Sequence, residues 1–146
     1  MKTPPLSLWR MPRVRYDRLV AAGVFGPEDR VELLDGLLVA REPQGARHAT
    51  VVAFVRAALE KALGRAFHVR EEKPIALDER SEPEPDIVVV PGRPRDYLHA
   101  HPSRPVLIVE VAGDWKYDSV RLLRRNAVVT PLAAPRARIR VATLLP

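Results

Sequence analysis

The chain has 146 residues, the size of one domain that can bury its own core. It has no cysteine, which excludes disulfides and thiolate metal sites and fits a reducing, cytoplasmic setting. The net charge of +6 is concentrated late: residues 113–146 hold Lys116 and six Arg against Asp114 and Asp118, a net of +5, so residues 1–112 are almost neutral.

Apolar runs are only a few residues long, as at 106–109, so no segment is expected to span a bilayer. The first fifteen residues carry Pro4, Pro5 and Pro12 and no apolar centre. They read as an irregular arm rather than a signal peptide. Residues 16–22 predict a short helix stopped by Gly23. Val31-Glu32-Leu33-Leu34 and Leu37-Leu38-Val39 flank Asp35-Gly36 and predict a hairpin, because both turn residues tolerate positive φ.

From His48, apolar residues at Val51, Val55, Ala58, Leu59, Ala62 and Leu63 recur at helical spacing up to Gly64. Residues 67–77 predict one or two short strands, with an edge or bulge at Pro74. Residues 78–85, DERSEPEP, form an acidic, proline-broken loop. Asp86 then opens the β-branched run Ile87-Val88-Val89-Val90, a buried strand. After a proline-rich surface loop over 91–105, residues 106–111 form a second buried strand carrying Glu110. Residues 117–125 could start a helix, and in the remaining stretch only 139–142 alternates like a strand.

Two central strands thus each bring a carboxylate to an end. Glu110 interrupts an apolar run, where a charge is costly unless it is paired or bound to metal. Two hard oxygen ligands on neighbouring strands suit Mg²⁺. Spacing alone equally allows a solvated strand end at Glu110 and a turn cap at Asp86. Arg outnumbers Lys twenty to four, which reflects a coding bias more than nucleic-acid recognition. The clustered tail arginines have the chemistry to bind phosphate by counterion release, or are simply solvated.

Four segments together, Glu32-Leu33-Leu34-Asp35-Gly36, Arg47-His48, Pro85-Asp86-Ile87-Val88-Val89-Val90 and Val109-Glu110-Val111, resemble the bacterial Uma-two family across residues 14–118. The resemblance implies an α+β fold with a restriction-endonuclease-like mixed β-sheet core flanked by helices, and a P-D…(D/E)-x-K site. It implies that Asp86, Glu110 and the Val111 carbonyl hold Mg²⁺ or Mn²⁺, that Glu32 completes the acidic cluster, and that His48 positions water or phosphate. The chain departs from the pattern where a lysine is expected, at Ala112 and again at Leu122. Lys116 is then the candidate catalytic cation, with Arg121 as a second positive group.

The family's later helix and strand motifs do not follow Asp118. Residues 1–15 therefore read as an arm, 16–118 as the endonuclease-like core and 119–146 as an atypical basic tail. The expected activity is metal-dependent hydrolysis of DNA phosphodiester bonds by a homo-oligomeric protein. The competing expectation is an inactive member that binds nucleic acid or protein, or a frameshifted or truncated product.

Overall fold

The computed structural model describes residues 6–111, 128–129 and 139–140. The chain forms two compact units. One combines the chain up to Glu42 with Ala76–Pro83, and the other combines Pro43–Ile75 with the chain from Glu84 onward.

In the first unit, helix α1 spans Arg13–Ala21, starting three residues before the predicted 16–22. Pro12 supplies an extended residue at its N-cap, with φ −69° and ψ 144°, so the helix begins as soon as the proline is passed. Tyr16 is its buried anchor, and its hydroxyl donates to the Val31 carbonyl at 3.2 Å. Gly23, at φ 69°, ends the helical path as predicted.

Strands β1 (Val31–Leu34) and β2 (Leu37–Ala40) pair antiparallel and close over Asp35 and Gly36. Both turn residues have positive φ, 45° and 77°, the geometry of a two-residue hairpin loop whose twist matches its strands. A Cβ on Gly36 would stand 2.8 Å from Cβ of Arg10 and 2.9 Å from N of Met11. The arm lies that close because the Met11 amide donates to the Gly36 carbonyl at 2.8 Å.

The acidic loop over 78–85 is partly an inside segment. Glu82 bridges to the fully buried Leu33, donating its amide to the Leu33 carbonyl at 2.8 Å. The Ser81 hydroxyl accepts the Asp35 amide at 3.0 Å. The buried Glu82 side chain lies 3.6 Å from Nη1 of Arg13 and is hydrogen-bonded to Asp17. Burial first, and then the Asp17 carboxylate, push the Glu82 carboxyl up to about 7 against the opposing pull of Arg13.

The second unit is built on helix α2 (Ala46–Leu63) and the sheet β3 (Phe67–Glu71), β4 (Ile87–Pro91) and β5 (Leu107–Val109). The sheet order is β3-β4-β5, and every strand pair among the described residues is antiparallel. Gly64, at φ 65°, ends α2 where predicted. Val52, Val55 and Leu59 of α2 pack on Val69, Ile87 and Val89, forming the core. Fully burying each such side chain contributes about 1.5–3 kcal/mol. Val88 and Val90 point to the opposite sheet face, against Ile75 and Tyr97. With β4 central, all four of its aliphatic residues are buried, as the continuous apolar run predicts.

The region 67–77 gives one strand, within the one or two expected, and it stops where Glu72 adopts φ 47°, before Pro74 is reached. One element differs from expectation: the predicted buried strand over 106–111 shortens to the three residues of β5. Ile108 is 42% exposed, since β5 has only β4 beside it among the described residues. A hairpin of β6 (Val128–Val129) and β7 (Ile139–Arg140) includes the predicted strand near 139. The helix expected at 117–125 lies outside the described residues. Among the described residues, no helix is long and apolar enough to cross a membrane.

The Glu82 carboxyl yields a pH prediction. Its folded value lies above its ordinary 4.5, so its stabilising contribution is complete below that value and is lost as pH rises through about 7. Urea unfolding from about pH 4 to about pH 8 should show stability falling with pH in this window, and Glu82→Gln should flatten that fall. An unchanged slope in the variant would remove Glu82 as its source.

Candidate active site

Asp86 immediately precedes β4, and the register Ile87↔Val109 sets it beside Glu110, which immediately follows β5. The Asp86 amide donates to Oε2 of Glu110 at 3.3 Å, joining the two acidic positions directly. The Asp86 side chain is buried, and its carboxylate is met by three donors. Nε2 of His48 lies 3.0 Å from Oδ1, and Nε2 of Gln44 donates to the same oxygen at 3.2 Å. The Val111 amide donates to Oδ2 at 2.6 Å.

Each donor has a structural reason to be there. Gly45 is the N-cap of α2, so His48 sits in its first turn, where the positive end of the helix dipole also favours a carboxylate. Gln44 precedes that cap. Val111 is the second residue beyond β5, and its side chain packs on the core. An ionised carboxylate accepts about four hydrogen bonds, so these donors largely compensate its burial.

The structure thus brings together His48, Asp86, Glu110 and Val111. Glu32 is placed in the first unit, on β1 across from Val39, and is half-buried there. Lys116 and Arg121 lie outside the described residues. Among the described residues, no group of three or more His, Cys, Asp or Glu is arranged to hold a metal ion. Gln44 was not singled out by sequence. Its only signal is a polar amide next to the α2 cap, and its role becomes visible once the buried Asp86 carboxylate needs donors.

A P-D step before a central strand, an acidic residue ending the next strand and a mixed α and β framework are the features of the PD-(D/E)XK nuclease superfamily. The profile of the Uma2 family, described as "Putative restriction endonuclease", matches residues 14–121, and the chain belongs to that family. No curated protein and no solved structure gives a match beside it.

Removing the Asp86 carboxylate would leave Gln44 and the Val111 amide without their acceptor. Asp86→Ala should therefore lower the unfolding free energy by about 1–3 kcal/mol in chemical denaturation. An unchanged denaturation midpoint would show that these hydrogen bonds do not support the fold.

Proposed function

We propose that this protein is a metal-dependent nuclease that hydrolyses DNA phosphodiester bonds. The observation that carries this reading is the Asp86–Glu110 pair, two acidic residues joined by the Asp86 amide and the Glu110 carboxylate at one end of the sheet, with the Asp86 carboxylate held by His48, Gln44 and the Val111 amide. Family membership supports this class of reaction.

The donor set fits Mg²⁺ or Mn²⁺. Asp86 and Glu110 offer hard oxygens, and such ions bind one or two carboxylates while keeping several waters. Three donors on Asp86 leave about one of its lone-pair positions open, which agrees with a lightly ligated, hydrated ion. Asp86, Glu110 and the Val111 carbonyl would hold it. When bound, the cation supplies polarisation of a phosphoryl oxygen and acidification of a water.

The chain's own residues do the positioning. His48 and Gln44 fix the plane of the Asp86 carboxylate, which makes His48 an orienting partner of that acid as well as a candidate to position water or phosphate. The Val111 amide holds the second oxygen. Glu110 has its carboxylate anchored on the Asp86 amide. In this reading Lys116 or Arg121 counters charge on the phosphate. Arg121 can stabilise that charge but cannot act as a base at neutral pH.

One observation favours a second reading, an inactive family member that binds nucleic acid or protein: Ala112 stands where the motif has its lysine. Nicking of supercoiled plasmid with Mg²⁺ or Mn²⁺ separates the two. The wild-type chain should cleave, Asp86→Ala and Glu110→Ala should each abolish cleavage, and His48→Ala should weaken metal affinity about 10–100-fold. A wild-type protein that cuts no DNA with either ion, yet binds it in a salt-dependent manner, establishes the second reading.

A further inference from the structure

Arg70 is a half-buried cation with one guanidinium nitrogen left unpartnered among the described residues. It lies on β3, in register with Val88, whose β4 side chain turns away from α2. Its Nη1 is buried and has no hydrogen-bond partner among the described residues. The guanidinium instead lies over the Tyr97 ring, 5.8 Å from the ring centroid. Tyr97 is itself held, donating its hydroxyl to the Pro91 carbonyl. Asp96, the acidic neighbour of Tyr97, accepts the Arg93 amide at 2.8 Å.

His68, two residues before Arg70 and paired with Val90, adds an imidazole to this region. Its imidazole is held below the ordinary range by burial first and then by the Arg70 charge, so the two groups sense each other. Burial likewise disfavours the charged form of Arg70. An arginine kept charged and partly desolvated, with no carboxylate paired to it among the described residues, costs stability that Met or Leu would not. The missing partner is an anion, and the planar guanidinium fork matches the oxygens of a phosphate.

The position gives that anion a source. Arg70 is on the rung of Val88 and Ile108, two residues along β4 from Asp86. At strand rise this is roughly 7 Å along the sheet from the acidic end. A nucleic-acid strand engaged at Asp86 and Glu110 carries a phosphate at every nucleotide, so a neighbouring phosphate passes within reach. We infer that Arg70, backed by Tyr97 and His68, is an oxyanion-binding position that takes a backbone phosphate of the nucleic acid flanking the one at the acidic pair. This rests on the nuclease reading for its ligand but not on cleavage.

The test is metal-free binding of the full chain to a fluorescent duplex oligonucleotide, measured by anisotropy across a KCl series. Arg70→Met keeps the apolar stem and removes the charge, and Arg70→Lys keeps the charge. One lost phosphate contact lowers the slope of log K against log salt by about 0.9. Arg70→Met should show this loss and Arg70→Lys should retain the wild-type slope, with thermal melts confirming that both fold. If Arg70→Met does not fold, Arg70→Lys carries the test through phosphate protection. Inorganic phosphate should raise the melting temperature of the wild type and of Arg70→Lys alike.

A folded Arg70→Met with wild-type slope and affinity overturns the inference, even if the protein cleaves DNA. If the wild type binds no oligonucleotide but inorganic phosphate still raises its melting temperature through Arg70, the oxyanion position stands, its ligand is free phosphate, and the nuclease reading fails separately. No response to either ligand overturns the inference as well.

Discussion

The second unit is organised around one residue each of whose polar atoms has a partner. The amide of Asp86 goes to Glu110, its carbonyl accepts the Glu72 amide at 3.1 Å, and its carboxylate accepts from His48, Gln44 and Val111. Those partners come from the end of β3, the end of β5 and the start of α2. A buried carboxylate tolerates few arrangements of its surroundings, because any donor that moves away leaves a desolvated charge behind. The elements that carry the site therefore share one fixed point. The apolar contact of α2 with β3 and β4 supplies stability, whereas Asp86 sets where the ends of those elements lie.

The parts legible in the sequence are those dictated by local chemistry. Asp35-Gly36 reads as a turn because its backbone needs positive φ, and Gly64 ends α2 for the same reason. The run of residues 87–90 reads as a buried strand because no position in it tolerates water, and β4 is indeed covered on both faces. The helical spacing in α2 locates its buried face, though Val52 is more deeply buried than Val51, the residue with which that spacing begins.

What was not legible depends on distant chain. Residues 106–111 and 87–90 look alike in sequence, yet among the described residues β5 has only β4 beside it and exposes Ile108, because strand order is a tertiary outcome. Ser81 and Glu82 sit in a stretch as polar as any surface loop, and their burial follows from pairing with Leu33 and from the presence of Arg13 and Asp17. The acidic pair was visible from its positions at strand ends. Its donors were not, since an amide such as Gln44 carries no periodic signal.

The Leu33–Glu82 bridge has a consequence for the order in which the molecule can form. Its two sides lie before and after the entire α2–β3 stretch. The β1–β2 hairpin is a local structure of the kind that forms in about 1–10 μs. The first unit, however, stays open along Leu33 until the chain has passed through α2 and β3 and returned. Closing that long loop is an entropic cost that local contacts do not offset. The returning segment runs directly into Pro85 and Asp86, so the residues that complete the first unit are the ones that lead into the acidic end of the second.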